Sequence, residues 1–336
     1  MSDNHEHNNP SVAGHAISGS ETAVSRRRLP RFVSFLAIVP ILSLMLAFWL
    51  GIDAAMLFAD EDVLYVATSG SDNSSCSLGA PCRTLQHAVN RADAGDEIRV
   101  AAGIYTASGS DVVSITTDIT LAGGFTTTNW LVPDPVNQPT ILDGEDQRRV
   151  VHIPGASSVS ISGFHIRQGQ IEDDHGAGVY NARGELVLED CWIYSNTLIA
   201  TGGAGNPSGA GVGNGTSATS LLRRNVFYGN DSDFLGSAIG VLSGTVNIEQ
   251  NLIYDNQAVY GAISVLQGHV GAKHNFIYQN EAVEDGGALY LWNGAMTSVH
   301  NTLYDNVAGD QGGGIYIHSG DMFVTNTLIV SNTAAS

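Results

Sequence analysis

The sequence predicts an all-β solenoid, in which short strands wind around a shared core and stack coil upon coil. Three observations predict it. A glycine-led strand recurs down the chain: SAIGVLSG at 237–244, GAISVLQG at 261–268, GGALYLWNG at 286–294 and GGGIYIHSG at 312–320. A second motif runs in phase with it: CWIYSN (191–196), NVFYGN (225–230), NLIYDN (251–256), NFIYQN (275–280) and NTLYDN (301–306), with a looser copy, NTLIVSN, at 326–332. Between the Gly, Asn, Asp and Ser residues, apolar positions alternate over stretches too short for the amphipathic helices of helical repeats.

The copies align on the first large apolar residue of the glycine-led strand: Val179, Val212, Ile239, Ile263, Leu289 and Ile315. The interval is widest at the first step and nearly constant over the last three. Repeats of this length with two or three short strands each are a stacking signature. A single coil cannot bury its inner face, whereas coils stacked about 4.8 Å apart give every strand two neighbours and a continuous core. The asparagines fall in two columns, Asn196, Asn230, Asn256, Asn280 and Asn306, and Asn225, Asn251, Asn275, Asn301 and Asn326. They are expected at corners, where Asn tolerates left-handed backbone and stacked copies bond one another. Cys191 stands where other copies carry Asn, and is expected to be a small buried side chain. The glycines mark a corner of tight turning or close backbone approach.

The chain has 336 residues, 39 of them glycine, and a net charge of −19. Such acidity argues against nucleic acid or an anionic membrane as a partner. Residues 1–31 are polar and end in a basic cluster, Arg26, Arg27, Arg28 and Arg31; residues 32–52 are an apolar run; 53–62 form an acidic linker. Positive before and negative after the run places the N-terminus in the cytoplasm and the remainder outside. The run fits an uncleaved signal-anchor helix better than a cleaved signal peptide, whose apolar core is about 7–15 residues long. The expected location is extracellular or in the cell envelope, secreted or anchored. In that compartment Cys76 and Cys82, in the polar stretch SGSDNSSCSLGAPC, are expected to form a disulfide. A metal site is disfavoured there because the sequence sets no histidine or second cysteine pair beside them.

The pairing of GGALY with NLIYDN resembles the repeats of chlamydial polymorphic outer-membrane proteins, and more broadly right-handed parallel β-helix proteins of the pectate-lyase-like fold. LYVATSGSDNSSCSLGAPCRTLQHAVNRADAGDEIRVAAGIYT (64–106) is similar to the entry segment of bacterial exported β-helix proteins, and ILDGEDQRRVVHIPGASSVSISGFHIRQG (141–169) to their early coils. The resemblance covers residues 63–336 and implies a right-handed parallel β-helix: an entry cap at 63–110, early coils at 111–170 and regular repeats at 171–336. It is specific for fold and weak for activity. Leu85, Ala88, Val89 and Ala92 lie at helical spacing behind Pro81 and a Thr84 cap, so a short helix is expected to close the first coil. The chain stops soon after Asn332 without a capping pattern, so either the sequence is part of a longer protein or another chain covers that end.

Alternation along the strands sets the candidate sites. If Ile315 and Ile317 point inward, Tyr316 and His318 point outward, and Tyr290 and Trp292 do so one coil earlier. These four form a candidate polysaccharide- or glycan-binding cluster, since aromatic faces stack on sugar rings. The opposing reading is a cross-strand ladder that only stabilises the sheet. Ser264, Leu266, Gly240 and Leu242 continue the columns as a shallower strip. Tyr194, Tyr228, Tyr254, Tyr278 and Tyr304 form a second outward column, read as a stabilising ladder. Glu284 and Asp310, on adjacent coils with Asp285 beside them, are candidate calcium (Ca2+) ligands; the plainer reading is a solvated acidic loop. Asp173, Asp174 and His175 are candidate catalytic residues, with Asp231 and Asp233 as a second carboxylate pair. The basic residues Arg223, Arg224 and Lys273 fall on a different strand from Glu284 and Asp310, which argues against a ready-made lyase site, and no pectate-lyase signature is present. The preferred function is a carbohydrate-binding or adhesin-like scaffold, and the alternative is a polysaccharide lyase or glycoside hydrolase.

Overall fold

A computed structural model describes residues 62–202 and 205–335. The expectations for the basic segment, the apolar run and the linker before residue 62 lie outside the described residues. Among those described, no helix is long and apolar enough to cross a membrane.

The chain from 62 onward is a parallel β-solenoid. Each regular coil carries four strands rather than two or three, as in Leu289–Leu291, Gly294–Val299, Thr302–Tyr304 and Val307–Ala308. Stacked across coils, these make an eight-stranded glycine sheet, a ten-stranded long sheet, a nine-stranded tyrosine sheet and a seven-stranded short sheet. The ladders within these sheets are parallel. In the glycine sheet Val151, Val179, Val212, Ile239, Ile263, Leu289 and Ile315 pair in one unbroken register. The fourth strand escapes the sequence pattern because it shrinks to Glu281–Ala282 or Val307–Ala308, too short to show alternation.

The inward residue of each tyrosine-sheet strand (Ile193, Phe227, Ile253, Ile277, Leu303) is fully buried, and together with the aliphatic residues of the long and glycine sheets they fill one continuous core. The N-terminal end is closed as expected. A helix at Leu85–Val89 is capped by Thr84, whose side chain accepts from His87 N, and buries Leu85, Ala88 and Val89. In the last coil one face is uncovered: Ile317, Leu328, Ile329 and Val330 are exposed.

The asparagine columns are ladders, with one correction. The left-handed residue at each corner is the one before the Asn: Ser195, Asp255, Gln279 and Asp305 have φ of 52°, 51°, 53° and 56°. A left-handed non-glycine residue costs roughly 1–2 kcal/mol. The Asn side chain offsets this by bonding the backbone of the turn and the next Asn. A second correction concerns Asn326. It occupies the left-handed position itself (φ 49°), with Thr327 at the ladder position below Asn301. Cys191 is buried at the ladder position and its N–H donates to Asn225 Oδ1.

Coil length varies mainly at one corner. The stretches from Val179 to Asn196, from Ile239 to Asn256 and from Leu289 to Asn306 are equal in length. The return from that Asn to the next glycine-led strand is not. It is longest from Asn196 to Val212, much shorter from Asn230 to Ile239 and shortest from Asn256 to Ile263. This variable turn folds back over the outer face of the glycine sheet.

Candidate functional site

The outward residues of the glycine sheet form one column: Ser114, His152, Tyr180, Gly213, Gly240, Ser264, Tyr290 and Tyr316. Its chemistry changes along its length. Ser114, His152 and Tyr180 occupy one end beside the Arg149 ion pairs, small residues the middle and aromatic rings the other end.

In the middle the variable turn lies directly on the sheet. A Cβ on Gly213 would sit 2.7 Å from Gly176 N and 2.9 Å from Ser208 O, and one on Gly240 would overlap Ser208 Oγ and Gly209 N. The long return after Asn196 therefore rests on two glycines. This covers half of the expected shallow strip: Gly240 and Ser264 are buried, with the Ser264 hydroxyl donating to Tyr260 O, while Leu242 and Leu266 are half-buried.

At the charged end Arg149 is 5% exposed. Its guanidinium pairs with Asp111 at 3.4 Å and Asp174 at 2.5 Å, and also donates to the carbonyls of His175 and Gly176. It lies 5.1 Å from the centre of the Tyr180 ring, on which His152 stacks at 5.6 Å. Burial pushes the Asp111 carboxyl up, but hydrogen bonds from His152 and Ser110 and the Arg149 charge outweigh it and hold the group below its ordinary value. Burial pushes the His175 imidazole down. Asp173 accepts from Thr201 N at 2.8 Å and from the Thr201 hydroxyl. The three candidate catalytic residues therefore have different attachments. Asp174 is committed to Arg149, Asp173 to the variable turn, and His175 packs its ring 5.4 Å from Tyr180. These contacts are those of a buried guanidinium and partly exposed acids fixing a turn.

At the aromatic end the four predicted residues come together in two stacked pairs. Trp292 and His318 lie 4.0 Å apart at 7°, and Tyr290 and Tyr316 5.6 Å apart at 9°. Trp292 is 42% exposed, but Tyr290 is 2% exposed, against the expectation that it faces solvent. The reason is the variable turn, which brings Tyr260 to 4.9 Å from Tyr290 and sets Gly286 against its Cβ. Tyr290 thus forms the floor of a cleft and Trp292 its rim. A cavity of about 230 Å³ opens there between Asn206, Phe234, Leu235, Tyr260, Leu266, Tyr290 and Trp292. A second, of about 180 Å³, shares Phe234 and reaches Asp173 and Pro207. Phe234 and Tyr260 do not stand out in the sequence. They lie on the fourth strands Asp231–Leu235 and Gln257–Tyr260, whose register shifts within returns of unequal length, so they do not align; an aromatic residue just before a corner glycine, as in Tyr260–Gly261, is the available signal.

The acids lie along the same turn. Glu284 N donates to Val259 O, and Asp310 N to Glu284 O, so these segments stack coil on coil. Asp285 Oδ1 instead accepts from Gln311 N at 3.1 Å. The side-chain oxygens of Glu284, Asp285 and Asp310 do not all fall within 4.8 Å of one another. Among the described residues the one such gathering of three groups is Cys76, Cys82 and His87. The entry helix brings in His87, five residues beyond Cys82, against the expectation that no histidine stands beside the cysteines. The two cysteines are joined in the expected disulfide, so their sulfurs are not thiolate ligands. Burial pushes the Asp285 carboxyl up, and Asp310 adds to the effect. Burial likewise raises the phenols of Tyr260, aided by Glu284 and Asp285, and of Tyr290, aided by Tyr260 and Asp285.

The other tyrosine column is a plain ladder. Tyr194, Tyr228, Tyr254 and Tyr278 stack at 4.8, 5.5 and 5.1 Å with interplanar angles of 6°, 8° and 13°. It encloses none of the cavities described above.

Residues 68–281 match the family model described as Protein of unknown function (DUF1565). A comparison with curated proteins finds no match. Among solved structures the chain is similar to pectate lyase Pel9A, at 12% identity and a TM-score of 0.43, covering 82% of this chain and 78% of that one. It is also similar to a rhamnogalacturonan lyase, at 14% identity and a TM-score of 0.34, covering 79% and 87%. Both likenesses are distant.

Proposed function

The chain belongs to the DUF1565 family, whose description assigns no activity, and from the form of its aromatic cleft we propose that it is an exported carbohydrate-binding protein. In this reading the solenoid is a rigid scaffold displayed in the cell envelope or outside the cell, adhesin-like, as the basic-then-apolar N-terminal sequence and the likeness to polymorphic outer-membrane repeats suggest. The observation that carries it is the cleft itself. Trp292 and Tyr260 wall a cavity floored by Tyr290, with Tyr316 and His318 continuing the aromatic surface one coil on. A pyranose ring offers axial C–H groups to such faces and hydroxyls to the polar rim, and a pocket of this kind is where a ligand is expected on a fold of many functions.

The test is glycan-array binding followed by calorimetric titration with the best ligand. Trp292→Ala is expected to weaken binding at least ten-fold, about 1.4 kcal/mol, while leaving the unfolding midpoint nearly unchanged because the ring is 42% exposed. Turnover of any bound polysaccharide, lost in Asp174→Ala, would instead favour the lyase or hydrolase reading.

A further inference from the structure

We infer that the cleft selects an amino-sugar polymer, a chain of pyranose rings bearing free ammonium groups, over acidic polysaccharides. This rests on the carbohydrate-binding reading and adds the sign of the ligand's charge.

The charged side chains that the fold brings beside the cleft are carboxylates, with the His318 imidazole next to them on Trp292. From position 225 to 335 the chain holds many Asp and Glu but a single Lys or Arg, Lys273. Lys273 sits on the long sheet, 3.9 Å from Glu249, away from the glycine sheet's outer face. The Arg149 guanidinium, on the same outer face as the cleft but at its other end, already donates to two carboxylates and two carbonyls. It has no geometry left for a ligand carboxylate, which asks for a bidentate fork. Arg183 lies at that end as well, near Tyr180.

The acids, by contrast, are placed by the backbone. The bond from Glu284 N to Val259 O sets Glu284 one coil above the residue preceding Tyr260. Gly286 packs on the Cβ of Tyr290, which holds Asp285 at the edge of the floor. Asp310 stacks on Glu284 through its own backbone bond. Three carboxylates thus lie over adjacent coils just outside the lining of the cavity, and Glu284 and Asp285 are near enough to raise the Tyr260 phenol. A polyuronate laid along the wall meets like charge at each step. An amino-sugar polymer stacks its rings on Tyr260, Tyr290 and Trp292 and sets its ammonium groups against Glu284 and Asp285. Partial burial of Asp285 strengthens that pairing relative to open water, whereas Glu284 is exposed and screened.

The experiment compares three oligosaccharides of equal length by titration calorimetry, at a pH where the sugar amine is charged: a glucosamine oligomer, its N-acetylated counterpart and a galacturonic acid oligomer. The glucosamine oligomer is expected to bind tightest, with an advantage that shrinks as salt rises. Glu284→Gln and Asp285→Asn, which keep shape and hydrogen bonding, are each expected to remove roughly two- to five-fold of that advantage, while Trp292→Ala weakens both amino sugars alike. Equal or tighter binding of the N-acetylated or galacturonic oligomer overturns the charge selection and leaves carbohydrate binding standing. No binding by any of the three, with none on a wider array, overturns both.

Discussion

The side-chain amide of Asn256 donates to Oδ1 of Asn280 on the next coil at 2.9 Å, and its own Oδ1 accepts from both Nδ2 and the backbone N of Asn230. Asn256 Nδ2 also reaches Tyr254 O at 2.8 Å, so one buried side chain joins three coils. Asn256→Ala leaves several buried groups without partners and is expected to cost about 2–4 kcal/mol. Asn256→Asp is expected to cost at least as much, because a carboxylate cannot donate to Asn280. Urea unfolding midpoints check both; a loss below about 1 kcal/mol for Asp would show that the ladder does not bind the coils in this way.

Gly240 faces the underside of the long variable turn. Gly240→Ala places a methyl group on Ser208 and Gly209 N, and is expected to cost about 1–3 kcal/mol and to loosen the turn. Gly155→Ala is the control, since nothing lies within 4 Å of its Cβ. Proteolysis around 200–209 should quicken in the first variant and stay unchanged in the second. Equal behaviour would contradict the packing described for Gly240.

His165 and His175 are both half-buried, and burial lowers both imidazoles below their ordinary 6.5. On acidification the unfolded chain takes up protons near 6.5 while the folded chain resists until a lower pH. Stability is therefore expected to fall as pH drops below about 6.5, and the slope to flatten below the folded values. Asp231 and Asp285, raised mainly by burial, act oppositely: between their folded values and 3.8 the folded chain binds protons first and recovers stability. Midpoints measured across this range, with His175→Gln, test the claim. An unchanged slope in that variant would mean His175 does not titrate differently on folding.

Burial pushes the Cys191 thiol up to about 12, and the residue is 1% exposed. Maleimide labelling of the folded protein at neutral pH is expected to be negligible, and the thiolate to become available only when coils around it open. Labelling rates in increasing urea would then report that opening. Fast stoichiometric labelling without denaturant would be inconsistent with the position.

What the sequence discloses and what it hides divides along the coil. Val179, Val212, Ile239, Ile263, Leu289 and Ile315 align by eye because the turns between each of them and the corner Asn hardly change length, and the structure pairs them in that register. Outward and inward positions follow from the same period, as in Ile253 and Tyr254. Tyr290 defeats that rule. Alternation says which way a side chain leaves the sheet, not whether another segment lies over it, and the segment over it comes from turns that share no spacing. Phe234 and Tyr260 escape notice for this reason, and the fourth strand because so short a segment carries no period. Asn326 reads as a column member only because an Asn happens to precede the Thr that takes the ladder site.

The unequal returns after the corner asparagines, more than twice as long from Asn196 to Val212 as from Asn256 to Ile263, have a consequence for how such a protein diversifies. Lengthening a surface return costs little, since closure entropy grows only with the logarithm of length. The rest of the lap is held at nearly fixed length by its ladders. New recognition surfaces can therefore be acquired one lap at a time, by insertion and exchange at a single seam, without retuning the scaffold. The winding supplies rigidity, and the seam is where lineages sharing this architecture are free to diverge.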